Sequence, residues 1–207
     1  MKSIIIGGTG QFGITLAIHL IKKKEKVYIT SRNPKNKKKI KGAKIIKLNI
    51  FNKNEFFKLY KKIKPDKIFY FASLSSVHES FKNPKIAMKI NYLGCKYILK
   101  YLEQLQFKGK FLNICSSEMY GNKKNKINLK CKFNPISPYG KSKVLSFKTT
   151  KKFRSKLKTY NAIIFNSESI YRPKKFVFAK IASSIAKASN SKKIMTLKLG
   201  NLNISRD

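Results

Sequence analysis

Tyr139 and Lys143 are four residues apart, a spacing that puts a phenol and an ammonium on one face of a helix. A free phenol, with a pKa of about 10, is a poor base at neutral pH. A lysine charge one turn away stabilises the phenolate, so the pair can take a proton from a substrate hydroxyl. Ser116, at the end of an apolar run, can hydrogen-bond the same oxygen. Tyr-x-x-x-Lys arises by chance in a chain this rich in lysine. The pair therefore gains meaning only from the elements around it.

Those elements begin with Ile4-Ile5-Ile6, a short buried strand. Gly7-Gly8-Thr9-Gly10-Gln11-Phe12-Gly13 follows, and then Ile14 to Ile21, whose apolar period reads as a helix. Strand, glycine turn and helix is the setting of a dinucleotide-binding loop. Gly7 makes the tight turn, and Gly10 lets N–H groups approach a pyrophosphate. Gly13 lets the helix pack close, and the helix N-terminus attracts the phosphates. The spacing is G-x-x-G-x-x-G, and a tight turn with no ligand would show the same triplet. With a nicotinamide cofactor, proton abstraction by Tyr139 accompanies hydride loss from the same carbon. Val27 to Thr30 reads as strand two and runs into Ser31-Arg32. An acid there would bind the adenosine ribose 2′-hydroxyl; Arg32, with no acid nearby, favours the 2′-phosphate of NADP. Arg32 is equally one more basic loop residue in a basic protein.

The 207 residues hold 48 Lys+Arg against 8 Asp+Glu, a formal charge of +40. That excess would fit nucleic acid or an anionic membrane. The lysines, however, are spread over almost every segment, densest at Lys35 to Lys41. We read a solvated basic surface and expect no specific nucleic-acid partner and no membrane. No apolar run reaches membrane-spanning length, and since the chain enters a strand at once, no leader peptide is expected. Cys95, Cys115 and Cys131 are odd in number and unevenly spaced, as expected of reduced cytoplasmic thiols. His19 and His78 lack ligand-spaced partners, so no metal is expected.

Ala43 to Leu48 reads as strand three. Phe56, Phe57, Leu59, Tyr60 and Ile63 fall on a helix that follows Asn52 and stops at Pro65. Ile68 to Phe71 is strand four, with small Ala72-Ser73 at its end. A long helix from Pro84 to about Gln106, a strand from Lys110 to Ile114 and a helix from Tyr139 to Lys156 come next. A strand from Asn161 to Phe165, a helix from Phe176 to Ser189 and a final strand from Met195 to Leu199 complete the chain. The alternation predicts an α/β fold with a doubly wound, mainly parallel, Rossmann-like sheet.

Taken together these motifs resemble the extended short-chain dehydrogenases/reductases, and within them the GDP-mannose 4,6-dehydratase family. The resemblance runs in order from Ile4 to Asp207. The glycine loop carries it, with Phe12 where an acid is usual. Ser75, Val77, Ser80, Phe81 and Pro84 match after strand four. Ser116-Ser117-Glu118-Met119-Tyr120-Gly121 matches the catalytic strand end, with Ser116 at the usual threonine. Most specific are Phe165-Asn166-Ser167-Glu168-Ser169 with Arg172, then Phe176-Val177, Lys180-Ile181, Leu199-Gly200-Asn201-Leu202 and Ser205-Arg206-Asp207.

The resemblance implies a redox-neutral dehydration of GDP-mannose with tightly held NADP, in the cytoplasm. Tyr139, aided by Lys143 and Ser116, would oxidise C4 of the mannosyl ring. Glu118 would take the acidified C5 proton and assist loss of the C6 hydroxyl as water. Cofactor contacts would fall on Gly7, Thr9, Gly10, Gln11, Phe12, Gly13, Arg32, Asn49, Ile50, Phe71, Ala72, Ser75, Tyr139, Lys143, Ser167 and Arg172. Substrate contacts would fall on Ser75, Ser116, Asn166, Glu168, Val177, Lys180 and Arg206. Residues 1–165 would form the NADP-binding Rossmann domain. Residues 166–207 would begin an incomplete C-terminal substrate lobe, since family members continue past this point. A homodimer or homotetramer is implied. Departures are Ser167 for a cofactor-contacting histidine, Asn49 for an adenine-contacting aspartate, and Ile170-Tyr171 for Pro-Arg. Two other readings stay open. One is another nucleotide-sugar dehydratase, decarboxylase or epimerase of the same superfamily. The other is a non-catalytic Rossmann domain that binds NADP or nucleic acid.

Overall fold

A computed structural model describes residues 1–34, 40–123, 126–191 and 196–200. Strand β1 (Lys2–Ile6) lies inside a six-stranded sheet. Ile4, Ile5 and Ile6 are all fully buried, because a central parallel strand is covered on both faces and needs no polar alternation. β2 (Lys26–Ser31) and β3 (Ala43–Lys47) extend the sheet to one side. β4 (Lys67–Tyr70), β5 (Lys110–Ser116) and β6 (Lys158–Ile164) extend it to the other. The order is β3-β2-β1-β4-β5-β6, and every pairing among the described residues is parallel. The doubly wound sheet expected from the alternation is therefore the sheet found.

Helices α1 (Gln11–Lys22), α2 (Lys53–Ile63), α3 (Val77–Lys82), α4 (Pro84–Ala87), α5 (Cys95–Gln104) and α6 (Pro138–Lys152) lie between the strands. Strand parity assigns the layers. Ile4, Ile6, Ile68, Tyr70 and Phe111 pack with Phe56, Leu59 and Ile63 of α2 and with Ile98, Leu99 and Leu102 of α5. Ile5, Val27 and Ile29 pack with Ala17 and Leu20 of α1 on the opposite face. Each buried Ile or Leu contributes roughly 1.5–3 kcal/mol. A one-residue slip of β1 would exchange the two sets, so the register is firmly specified.

Local signals set the helix ends. Asn52 accepts the Glu55 N–H at 3.1 Å and donates its amide to Glu55 Oε1 at 3.1 Å, which starts α2. Lys64, in the left-handed region at φ 49°, stops it just before Pro65. Ser76 caps α3, accepting Glu79 N at 3.2 Å. Ser137 caps α6, accepting Gly140 N at 3.0 Å, with Pro138 in the first turn.

The structure departs from the sequence expectations in three places. The long helix expected from Pro84 to Gln106 is α4 and α5 joined by a π-helical turn, Met88–Gly94. Helix α3 was not expected at all. The final strand is a correction: Met195 lies outside the described residues, and residues 196–199 form no strand. Their alternation suits a strand, but ladder pairing makes one, and these residues make no ladder.

The chain forms two compact units, Met1–Ile164 and Phe165–Asp207. The second contains α7 (Val177–Ser189), whose Val177, Phe178 and Ile185 are exposed. Among the described residues no helix is long and apolar enough to cross a membrane.

Candidate functional site

Sheet order reverses between β1 and β4, and in such sheets ligands bind beyond the C-terminal strand ends at that reversal. The glycine loop leaves β1 there, and Phe71 to Ser75 leave β4. The two segments touch. Phe71 N donates to Ile6 O at 2.8 Å. Gly7 has φ +74°, and a Cβ built on it would lie 2.5 Å from the Ala72 backbone. Turn geometry and close approach both require glycine at 7. Gly13 meets the Gly8 backbone in the same way, at 2.3 Å.

Gly10 is different. Its φ of −85° suits any residue, and a Cβ there would meet nothing nearer than Gly7 O at 3.8 Å. Among the described residues nothing excludes a side chain at the N-cap of α1. A phosphate drawn to the first-turn N–H groups would, because a side chain would occupy the same space. The residues present therefore fit a dinucleotide. Phe12 is half-buried, and Ser75 and Arg32 are exposed. Ser31 Oγ accepts Asn33 N at 3.3 Å, which turns the chain at Arg32. Asn49 Oδ1 is engaged by Phe51 N at 3.1 Å. Ile50 is buried in the core.

The start of α6 is held against α3. Tyr139 N donates to Ser80 Oγ of α3 at 3.1 Å, and Tyr139 O accepts from Ser142 Oγ at 2.7 Å. The two serines clamp the tyrosine backbone from both sides. Lys143 is 1% exposed. Its ammonium donates to Ile114 O at 2.9 Å and lies 5.7 Å from the Tyr139 ring centre. The i,i+4 spacing thus places them on one face, as expected. Ser116, at the end of β5, accepts Glu118 N at 3.3 Å, which turns the chain into a short 3-10 turn, Ser117–Met119. That turn abuts α6, since a Cβ on Gly140 would fall 2.5 Å from Glu118 O. Ser116, Glu118, Tyr139 and Lys143 therefore come from two neighbouring segments. Beneath them, burial pushes the Cys115 thiol up to about 12 and the Cys95 thiol up to about 11, so neither is a nucleophile.

Sequence reasoning missed Asn91. It sits in the π turn, fully buried. Its Oδ1 accepts Leu74 N at 2.8 Å and Ser73 Oγ at 3.0 Å; its Nδ2 donates to Ser142 Oγ at 2.9 Å and to Leu74 O at 3.3 Å. One side chain thus ties the loop after β4 to the helix of Tyr139. A lone polar residue inside an apolar helical pattern was the available signal.

The remaining expected residues belong to the second unit. Glu168 and Arg172 pair at 3.5 Å, and the Arg172 guanidinium stacks 3.8 Å from the Phe176 ring centre. Lys180 donates to Lys198 O. Asn166 and Val177 are exposed, and Ser167 is half-buried. Arg206 lies outside the described residues. A separate concavity of about 520 Å³ beside β3, lined by Tyr28, Lys44 and Ile46, gathers none of these groups. No cluster of three metal-ligating side chains occurs among the described residues.

Residues 4–207 match the family model of GDP-mannose 4,6 dehydratase. The chain belongs to the GDP-mannose 4,6-dehydratase family. It is 29% identical over 225 residues to a GDP-mannose 4,6 dehydratase of Drosophila melanogaster, covering 99% of this chain and 56% of the relative. It is 28% identical over 217 residues to one from Sordaria araneosa, covering all of this chain and 40% of the relative. The chain thus spans about half the length of these family members. Among solved structures it resembles DesIV, a dTDP-glucose 4,6-dehydratase of Streptomyces venezuelae determined with NAD and TYD bound. The TM-score is 0.81 at 16% identity over 91% of this chain and 63% of that one. It also resembles a UDP-glucose 4-epimerase of Thermus thermophilus in complex with NAD. There the TM-score is 0.79 at 19% identity, over 90% of this chain and 61% of that one. Both similarities lie below 25% identity and show the shared fold.

Proposed function

We propose that this chain carries the NADP site and the proton-transfer groups of a GDP-mannose 4,6-dehydratase, which makes GDP-4-keto-6-deoxymannose. The observation that carries this reading is that two sets follow the C-terminal ends of strands of one parallel sheet, β1 and β5. One is a glycine loop with room left open at Gly10. The other is Tyr139 beside a buried Lys143, with Ser116 and Glu118 on the adjoining turn.

NADP, when bound, supplies an acceptor for the C4 hydride and returns that hydride to C6. Gly7, Gly10 and the α1 N-terminus would hold its pyrophosphate, and Arg32 its 2′-phosphate. Tyr139 takes the proton of the C4 hydroxyl, and the Lys143 ammonium stabilises the phenolate. Ser116 hydrogen-bonds the same sugar oxygen and fixes its direction. Oxidation at C4 acidifies the C5 proton. Glu118 removes that proton and delivers it to the departing C6 hydroxyl, which leaves as water. Hydride return to C6 would be matched by a proton at C5, given back by Tyr139 from the C4 hydroxyl, so redox and proton balance both close on the sugar and no external oxidant is needed. By the family resemblance, Asn166, Glu168, Val177, Lys180 and Arg206 would contact the nucleotide sugar, and the assembly would be a homo-oligomer.

The test is a thermal-shift titration of the purified chain with NADP, NAD and a short DNA duplex at near-physiological salt. GDP-mannose turnover follows. Saturable stabilisation by NADP, stronger than by NAD and lost in Arg32→Ala, supports the cofactor assignment. A shift with DNA alone overturns it. A pentose product would assign the chain to nucleotide-sugar decarboxylation instead.

A further inference from the structure

The π turn that carries Asn91 needs a cause. Such turns are rare, occur at functional sites and persist where something fixes them. Here Tyr70, the last residue of β4, is fully buried, and its hydroxyl donates to Ile90 O at 2.6 Å. Ile90 O and Asn91 N belong to one peptide unit, so holding that carbonyl fixes the plane from which the Asn91 side chain springs. Gly94 closes the turn over the hydroxyl. A Cβ at 94 would fall 2.3 Å from Tyr70 Oη and 2.5 Å from Ile50 Cδ1. Burial drives the Tyr70 phenol well above its ordinary pKa, so it stays a protonated donor.

Asn91 in turn ties two segments together. It grips Ser73 and Leu74 after β4, beside Ala72 and Gly7, and it grips Ser142, whose hydroxyl holds Tyr139 O. We propose that Tyr70 is a positioning residue for the candidate site: its hydroxyl pins the Ile90–Asn91 peptide, and through Asn91 it sets the loop after β4 against the Tyr139 helix. The consequence for ligand binding rests on the dinucleotide reading above; the pin itself does not.

Tyr70→Phe keeps the ring and removes only the pin. Hydrogen–deuterium exchange on the full chain without ligand reads the pin directly. The Leu74 amide, held by Asn91 Oδ1, should exchange about tenfold faster or more, while amides of β5 and α2 keep their protection. Gly94→Ala disturbs the same hydroxyl from the other side and should give the same local change, which covers the case in which Tyr70→Phe does not fold. Unchanged Leu74 exchange, or equal loosening everywhere, overturns the proposal.

NADPH fluorescence titration supplies the second readout. Tyr70→Phe and Asn91→Ala should each weaken binding about tenfold, and the double variant no more than either alone. Additive losses, or unchanged affinity in a wild type that binds, overturn the route through Asn91. If the wild type binds neither NADPH nor NADH, the dinucleotide reading fails, and the exchange result still decides the pin.

Discussion

Ser80 and Tyr139 are 59 residues apart in sequence, and the Ser80 hydroxyl accepts the Tyr139 N–H at 3.1 Å. That N–H belongs to the first turn of α6, where no intrahelical partner exists. Ser80→Ala would bury an unsatisfied donor. Equilibrium urea unfolding should register a loss of about 1–3 kcal/mol. A loss under half of that would show that Ser137 and water suffice as the cap.

Gly7 and Gly10 should respond oppositely to alanine. Gly7→Ala combines a positive φ with a Cβ 2.5 Å from Ala72, so its melting temperature should fall sharply. Gly10→Ala meets open space at an ordinary φ, and its stability should stay within about 1 kcal/mol of wild type. Its NADP affinity should nevertheless drop. Thermal melts with and without NADP separate the two effects.

Lys143 is a buried charge whose assigned hydrogen bond goes to a carbonyl, that of Ile114. Replacing a buried charge by an apolar side chain of similar length is often neutral or stabilising. Lys143→Met should therefore melt no lower than wild type while losing GDP-mannose turnover. A lower melting point together with retained turnover would assign the ammonium a purely structural role.

Glu25 receives Ser3 Oγ and Lys67 Nζ, both at 2.6 Å. Burial raises its carboxyl, but the bonds and charge of Lys67 and the bond of Ser3 outweigh that and hold it below the ordinary glutamate range. A lowered folded-state pKa means that the stabilisation is complete above the unfolded value of about 4.3 and is lost as pH falls through the folded value. Urea midpoints measured down a pH series should fall more steeply for wild type than for Glu25→Gln below about pH 5.

Cys95 and Cys115 are buried with thiols pushed up to about 11 and about 12, whereas Cys131 is only half-buried. Iodoacetamide at pH 8 should label Cys131 first in the native chain, and all three cysteines only after unfolding. Intact-mass spectrometry reads the count. Rapid native labelling of Cys115 would mean that β5 and α6 separate readily.

The sequence by itself determined what depends on near neighbours. Buried strands read as apolar runs because both faces of the sheet are covered. The glycine loop, the helix start after Asn52 and the Tyr139–Lys143 spacing are all written within a few residues. Tertiary structure decided the rest. Tyr139 is held by Ser80, Ser142 is held by Asn91, and the peptide of Asn91 is anchored at Ile90 by Tyr70, across gaps of 20 to 59 residues. Single serines, an asparagine and a tyrosine carry no periodic mark, and a π turn has the same apolar pattern as the α-helix it interrupts. Residues 196–199 show the converse limit, since a strand pattern without a ladder partner stays a pattern. Hydrogen-bond partners far apart in the chain are chosen by packing, and packing exists only once the layers have met.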